Sequence, residues 1–147
     1  MRFIGRFPHT IDEKGRLSIP SKFRQTLQDR GQNILVLTDF DSCISAYPLD
    51  VWARIEEKIQ TQSNFEKDLR AFLRLFYSAA SECPVDGQGR VLIPPQHREK
   101  AGLARDVIIV GALNRIEIWD KDRWEQFLAT SPVTFEDIAG RLAHLGI

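Results

Sequence analysis

The sequence has 147 residues, 43% apolar and 27% charged, as is typical of a folded soluble protein with one substantial core or two small cores that share an interface. Twenty basic residues balance twenty acidic ones, so the net charge gives no whole-molecule sign of nucleic-acid binding. No apolar run approaches the roughly 20 residues that cross a bilayer, and the start lacks a secretion-signal pattern, so we expect a cytoplasmic protein without a membrane partner.

The first predicted element is a pair of short strands around a turn, in "FPHTIDEKGRLSIP" at residues 7–20. Asp12 can accept a hydrogen bond from the backbone two residues further on, and Gly15 can adopt the positive φ that precedes the second strand. We therefore predict that Asp12 and Gly15 brace this turn. Leu17 and Ile19 alternate with a polar residue, which is the period-two pattern of a half-buried strand.

A helical turn and two further strands complete this first unit. The helical turn is predicted in "KFRQTL" (22–27), and the strands in the β-rich runs "NILVLTD" (33–39) and "SCISAYP" (42–48). The order is therefore strand, turn, strand, helical turn, strand, strand. One such unit has too little apolar surface to stand alone, whereas two units related by pseudo-two-fold symmetry could close a small barrel.

Two helices are predicted to follow the first unit. The first helix carries a single apolar stripe, formed by Val51, Ile55 and Ile59. Asn64 can cap the second helix, whose apolar residues also recur at helical spacing. We expect the two helices to form a hairpin that either links the repeated units or packs on their strands.

The second half of the chain repeats the first unit. A shift of 74 residues superposes identical residues, namely Asp12 on Asp86, Gly15 on Gly89, Arg16 on Arg90, Ile19 on Ile93, Pro20 on Pro94, and Arg24 on Arg98. We read this as an internal duplication and predict that Asp86 and Gly89 brace an equivalent turn. The predicted organisation is repeat 1 over 5–52, a connecting helical hairpin over 53–80, repeat 2 over 81–124, and a C-terminal helical segment over 125–147.

The last predicted elements are helical. Asp120 can cap a helix that follows it, and Ser131-Pro132 is expected to end that helix. A final amphipathic stretch carries an apolar stripe formed by Phe135, Ile138, Leu142 and Leu145. We expect this stripe to pack on the core of its own chain, with an intersubunit contact as the alternative.

The chain resembles the MraZ family of bacterial transcription regulators, which is related to the AbrB-like DNA-binding proteins. The resemblance is carried by "DEKGR" (12–16) and "DGQGR" (86–90), and by "LSIPSKFR" (17–24) and "VLIPPQHR" (91–98), which follow them. The helix pair between the two repeats also agrees, so the resemblance covers essentially the whole chain.

This resemblance implies an α+β fold in which two internal repeats form a double swapped-hairpin, AbrB-like β-barrel with flanking helices. It also implies a ring-shaped homo-oligomer that binds double-stranded DNA. The implied targets are direct repeats in the promoter of the division and cell-wall gene cluster, which includes the protein's own gene. Members of the family usually act there as repressors, so we expect a sequence-specific, nucleoid-associated regulator.

The two turns supply the basic side chains that such a function needs. Residues 1–24 hold six basic and two acidic side chains, and residues 86–105 hold four basic and two acidic ones. Arginine can contact phosphates or bond to both O6 and N7 of guanine, and a two-stranded ribbon fits the major groove. We predict that DNA is contacted by Lys14, Arg16, Arg90, Arg6, Lys22 and Arg24.

Three alternatives stay open. Arg16 and Arg90 could serve only as structural ion-pair partners of Asp12 and Asp86, or the chain could be an oligomeric scaffold that binds a protein partner. It could also be a barrel enzyme, although the sequence shows no nucleophile–base arrangement, no phosphate-cradling loop and no metal-ligand spacing. We therefore predict no metal, cofactor or small-molecule substrate, and a pocket enclosing both aspartates would reopen the enzyme alternative.

Overall fold

The structure is a computed structural model that describes residues 2–130 and 134–146. The first repeat contains β1 (Arg6–Thr10), β2 (Arg16–Ser18), α1 (Ser21–Asp29), β3 (Ile34–Phe40) and β4 (Cys43–Pro48). The second contains β5 (Ser81–Pro84), β6 (Arg90–Leu92), α4 (Pro95–Lys100), β7 (Asp106–Gly111) and β8 (Ile116–Asp120). Between and after them lie α2 (Leu49–Gln60), α3 (Lys67–Phe72), a π-helical turn (Leu73–Tyr77), α5 (Lys121–Thr130), α6 (Phe135–Arg141) and a 3-10 turn (Ala143–Leu145).

The strands of the two repeats are exchanged. They form a six-stranded sheet in the order β1-β7-β8-β4-β3-β5 and a two-stranded ribbon of β2 and β6, with antiparallel pairing throughout. β1 of the first repeat pairs with β7 of the second, and β5 of the second pairs with β3 of the first. The first strand of each repeat therefore pairs with a strand of the other repeat and not with a strand of its own.

The predicted α+β class, built from two repeats around an antiparallel sheet, is confirmed. Closure of the strands into a barrel stays a prediction, because the six-stranded sheet ends at β1 and β5. Single bridges, Ile11 to Leu17 and Val85 to Val91, run from the ends of these two strands towards the β2–β6 ribbon.

One shared core lies between the sheet and the ribbon. Leu17 of β2 and Val91 of β6 face this core and are fully buried, together with sheet residues such as Leu35, Ile109 and Ile118. Burying an aliphatic side chain of this size contributes about 1.5–3 kcal/mol. Because both repeats contribute to the same core, the ribbon is fixed to the body of the protein by its inner face.

Helices cover the outer face of the sheet in two places. Val36 and Tyr47 lie under α2 and the π-helical turn, where Trp52 and Phe76 complete a second apolar cluster. A third cluster forms where Trp124 of α5 packs on strands β7 and β8. None of the helices in the described part of the chain combines the length and apolar composition that a bilayer span needs.

The helix predicted after Asn64 begins later and is not uniform. α3 begins at Lys67, after the N-cap residue Glu66, and no side chain caps it. The backbone carbonyl of Asn64 instead accepts a hydrogen bond from Nη1 of Arg70. The chain then widens into a π-helical turn, where the amide of Ser78 bonds to the carbonyl of Leu73. The predicted cap at Asn64 is therefore wrong.

The C-terminal stripe is exposed, contrary to the expectation that it packs on its own core. α5 begins after Asp120 as predicted, and a carboxylate oxygen of Asp120 accepts a hydrogen bond from the amide of Arg123. The predicted break at Ser131-Pro132 lies outside the described residues. On α6 and the turn after it, the exposed fractions are 82% for Phe135, 41% for Ile138 and 61% for Leu145.

Candidate nucleic-acid interface

The first turn is closed by the side chain of Asp12. Its Oδ1 accepts hydrogen bonds of 2.9 Å from the amides of both Lys14 and Arg16. The backbone carbonyl of Asp12 accepts a further bond of 3.0 Å from the amide of Gly15, which has a φ of +86°. Because L-residues with a side chain rarely adopt this φ, the turn depends on glycine at position 15.

The second turn repeats this geometry. Oδ1 of Asp86 accepts hydrogen bonds of 2.8 Å from the amide of Gln88 and 2.9 Å from the amide of Arg90. The backbone carbonyl of Asp86 accepts a bond of 2.9 Å from the amide of Gly89, whose φ is +77°. The two repeats therefore form the same turn, with an exposed Gln88 at the position that an exposed Lys14 occupies in the first.

Each turn also holds an arginine by one edge of its guanidinium. Nε of Arg16 donates a hydrogen bond of 2.7 Å to Oδ2 of Asp12, and Nε of Arg90 donates one of 3.1 Å to Oδ2 of Asp86. Among the described residues, the terminal nitrogens of both guanidiniums meet no protein acceptor. The side chains are about one-third exposed, at 34% and 31%. The terminal nitrogens are the ones that a base or a phosphate would contact.

The same hydrogen bonds lower the pKa of both aspartates. For Asp12 the largest cause is the backbone amide of Arg16, followed by the opposing effect of desolvation and then by the Arg16 side chain. For Asp86 the largest cause is the backbone amide of Arg90. Both pKa values fall below the ordinary 3.8, so both carboxylates are charged and able to hold their arginines at neutral pH.

The β2–β6 ribbon places both arginines on one outer face. Arg16 lies opposite Leu92, and Ser18 lies opposite Arg90. These four residues alternate with the buried Leu17 and Val91, so all four belong to the face that points away from the core. Arg16 and Arg90 are diagonal neighbours, and such neighbours lie roughly 7–8 Å apart, with their Cβ atoms somewhat closer.

The other predicted contacts are distributed unevenly. Lys14 is exposed at the tip of its turn, and Lys22 is exposed at the start of α1. Arg24 is half-buried, and its Nη2 donates a hydrogen bond of 2.9 Å to the carbonyl of Gly87. The structure thus brings Lys14, Arg16 and Arg90 to the turns and ribbon, while Arg24 makes a contact inside the protein that the sequence did not predict.

Arg6 is a predicted contact that lies away from the turns. It starts β1, and the first turn follows the other end of that strand, about 13 Å further along. Its guanidinium carbon lies 5.0 Å from the ring centroid of Trp124 on α5. Arg6 thus lies at the end of β1 that is remote from the first turn, and its contact with DNA stays a prediction.

The sequence also missed a nucleophile–base arrangement. Nε2 of His97 lies 2.9 Å from Oγ of Ser81, and Nδ1 of His97 lies 2.9 Å from Oδ1 of Asp39. These residues are far apart along the chain, so no spacing pattern could have revealed them. The one available signal is that His97 occupies the repeat position of the core residue Phe23.

Asp39, His97 and Ser81 link one helix to two strands. His97 is fully buried, and it connects α4 to β3 and β5. These three residues line none of five surface clefts found in the described part of the chain. Asp12 and Asp86 line two separate clefts among these five, so none of them encloses both carboxylates. The geometry therefore favours a structural role over a catalytic one.

The comparisons with known proteins agree with the duplicated turns. The family model described as "MraZ protein, putative antitoxin-like" matches residues 3–75 and again residues 76–145. Its two matches divide the chain as the repeat does.

Full-length relatives carry one shared name, "Transcriptional regulator MraZ". The relative from Acetivibrio thermocellus is 43% identical over 145 residues, which are 99% of this chain and 99% of that protein. The relative from Caldanaerobacter subterraneus subsp. tengcongensis is 45% identical and covers 98% and 99% of the two chains. The relative from Thermoanaerobacter pseudethanolicus is 46% identical with the same coverage. With both repeats matched and relatives aligned end to end, the chain belongs to the MraZ family of transcriptional regulators.

Proposed function

We propose that the chain is a DNA-binding transcriptional regulator that reads direct repeats in the promoter of the division and cell-wall gene cluster, including its own gene. It acts mainly as a repressor, in the cytoplasm and on the nucleoid. The observation that carries the proposal is the pair of aspartate-held arginines, Arg16 and Arg90, on one outer face of the β2–β6 ribbon. The relatives are regulators rather than enzymes, and their shared name supports the coarser statement that this chain regulates transcription.

In the proposed fold, the six-stranded sheet and the β2–β6 ribbon close into one barrel. In it, the bridges from Ile11 to Leu17 and from Val85 to Val91 join the β2–β6 ribbon to both ends of the sheet. The result is a double swapped-hairpin barrel made by repeats 5–52 and 81–124. The exchange of β1 and β5 between repeats supports this arrangement. The helical segments 53–80 and 125–147 flank the barrel.

In the proposed DNA contact, the β2–β6 ribbon enters the major groove. A two-stranded ribbon is narrow enough for the major groove, and a guanidinium can bond to both O6 and N7 of guanine. Asp12 and Asp86 act as braces, because a carboxylate that faced DNA would be repelled by phosphate. Each brace holds its arginine through Nε and leaves two nitrogens for DNA. The side chains of Lys14 and Lys22 contact the phosphates and add positive charge there.

Assembly into a ring supplies the remaining affinity. A chain with no net charge and a few basic side chains would bind DNA weakly on its own. A ring presents several ribbons to tandem DNA sites, and effective concentration then raises the apparent affinity by about 10². The exposed stripe of Phe135, Ile138 and Leu145 is the surface that we propose for contacts between copies.

The test is a footprint and a binding titration on the DNA upstream of the protein's own gene. We expect protection of tandem repeats, no protection of a scrambled fragment, and a steep fall of affinity with salt because bound phosphates release counterions. Arg16→Ala and Arg90→Ala should each weaken binding by roughly 5- to 150-fold, at about 1–3 kcal/mol for a bidentate base contact. Arg54→Ala, an exposed arginine on α2, is the matched control.

The same titration separates the alternatives. If Arg16→Ala and Arg90→Ala leave binding unchanged, the two arginines are structural ion-pair partners only. If the wild-type protein binds scrambled and promoter DNA equally weakly, the exposed apolar stripe favours the second candidate, an oligomeric scaffold that binds a protein partner. The first result overturns the proposed role of the two arginines, and the second overturns the proposed reading of promoter repeats.

A further inference from the structure

The arginine of each short helix contacts the turn of the other repeat. Arg24 belongs to α1 of the first repeat, yet its Nη2 donates a hydrogen bond of 2.9 Å to the carbonyl of Gly87. The same side chain packs directly against Gly89. A Cβ atom at position 89 would lie only 2.8 Å from both Cδ and Nε of Arg24. The second turn is therefore packed against a side chain supplied by the first repeat.

The reciprocal contact lies at the opposite end of the ribbon. Arg98 belongs to α4 of the second repeat, and it lies against Gly15 in the first turn. A Cβ atom at position 15 would lie 2.8 Å from Cζ and 3.0 Å from Nε of Arg98. Nε of Arg98 donates a bond of 3.1 Å to the carbonyl of Ile93, and the amide of Ile93 donates one of 2.9 Å to the carbonyl of Gly15.

Glycine is favoured at both turns for two reasons. The φ of +86° at Gly15 and +77° at Gly89 disfavours a side chain, and a side chain there would also have to displace the arginine that packs on each glycine. Gly15 and Gly89 are buried although they lie in surface turns, which reflects this coverage. The stacking fixes the backbone from which Arg16 and Arg90 project.

We infer that Arg24 and Arg98 are positioning residues for DNA binding, each of which holds the DNA-contacting turn of the opposite repeat. This inference rests on the proposed function of the turns. It replaces the predicted direct DNA contact of Arg24, whose Nη2 is bonded to Gly87. Each turn therefore depends on the short helix of the opposite repeat. Loosening α1 would loosen the second turn and leave the first in place, and loosening α4 would do the reverse.

The crossed pattern is tested by hydrogen–deuterium exchange on the full-length protein without DNA. Arg24→Ala should speed exchange in the peptide that contains residues 86–92 and leave residues 12–18 unchanged. Arg98→Ala should do the reverse, so each variant is the matched control of the other. Faster exchange only in the turn of the same repeat, or in neither turn, would overturn the inference. This readout does not depend on DNA binding.

A double-mutant cycle tests the stacking itself. Gly89→Ala should lower the melting temperature less in the Arg24→Ala background than in the wild type, because the steric conflict is then absent. Strain from the positive φ is present in both backgrounds and cancels. The Arg98→Ala background should leave the loss caused by Gly89→Ala unchanged. An equal loss in all three backgrounds would show that the packing of Arg24 on Gly89 does not stabilise the turn, which would count against the inference.

DNA binding distinguishes positioning from direct phosphate contact. Arg24→Lys keeps the charge but lacks the planar fork that stacks on glycine. We expect it to weaken promoter binding about as much as Arg24→Ala, by roughly tenfold. Near-wild-type binding by the lysine variant would overturn the inference in favour of a phosphate contact. If the wild type does not bind the promoter, the proposed function fails, while the exchange pattern still decides whether the crossed braces exist. Should Arg24→Ala not fold, the lysine variant carries the exchange test.

Discussion

At the residue scale, Asp12 and Asp86 each combine two roles in one carboxylate. One oxygen closes the turn through two backbone amides, and the other holds the arginine that follows. The sequence predicted the turn and its glycines, because the local pattern of aspartate followed by glycine has a known backbone consequence. It did not predict the roles of Arg24 and Arg98, because those contacts cross between repeats.

The turn aspartates predict a specific pH dependence. The pKa of Asp12 in the folded protein lies below 3.8, so its stabilising contribution is fully present above pH 3.8 and is lost as the pH falls through the lower folded-state value. The difference in free energy of unfolding between wild type and Asp12→Asn should therefore be constant above pH 4 and shrink below it. Denaturant unfolding across this range measures the difference. Glu13→Gln is the control, and a difference that stays constant down to pH 2 would contradict the prediction.

His97 predicts a large structural effect without an effect specific to DNA. His97→Ala leaves Asp39 and Ser81 without their partner and opens a cavity, which should cost about 3–5 kcal/mol of unfolding free energy. Ser81→Ala removes only one end of the network and should cost about 1 kcal/mol. Urea unfolding measures both. An alanine variant at position 97 that is as stable as the wild type would show that the network contributes nothing.

At the scale of elements, local signals predicted the strands and missed the tertiary contacts. The order strand, turn, strand, helical turn, strand, strand is present in both repeats because alternation, β-branched runs and glycine act locally. The pairing of β1 with β7 and of β5 with β3 has no local signal, and only the family resemblance implied it. The π-helical turn and the exposed α6 were missed because packing determines both.

The helical hairpin predicts a contrast between two aromatic residues. The Trp52 ring stacks at 5.5 Å from Phe76 and 5.7 Å from Tyr77, so it connects α2 to the π-helical turn. Trp52→Ala should cost about 3–5 kcal/mol of unfolding free energy. Phe65 is 92% exposed, and Phe65→Ala should change stability by less than about 0.5 kcal/mol. Denaturant unfolding of both variants checks the contrast, which equal losses would contradict.

At the scale of the whole molecule, two pseudo-equivalent halves share one core and one ribbon. The shared core explains how a small ribbon is held in place, since Leu17 and Val91 on its inner face are fully buried. The halves are not identical, however. In the first half, Phe23 packs edge-on against Phe3 and Phe7. The equivalent position in the second half is His97, which bonds to two polar partners instead. The two halves are therefore similar but not interchangeable.

The exposed stripe on α6 predicts an effect on assembly and avidity. Ile138→Asn should leave the chain folded, because α6 has no buried residue and Ile138 is 41% exposed. We expect the variant to sediment as a smaller species and to lose the roughly 10²-fold preference for tandem over single sites. Glu136→Gln, on the same helix, is the control. A variant with unchanged mass and unchanged preference would contradict the proposed role of α6 in contacts between copies.

The exchange of strands also has a consequence for synthesis. Arg6 pairs with Val110, so the opening strand emerges from the ribosome long before its partner exists. Until then, the nascent first half exposes unpaired backbone and apolar side chains, which makes it a substrate for chaperones and for premature association. Translation past β7 is thus the earliest moment at which either half can become native.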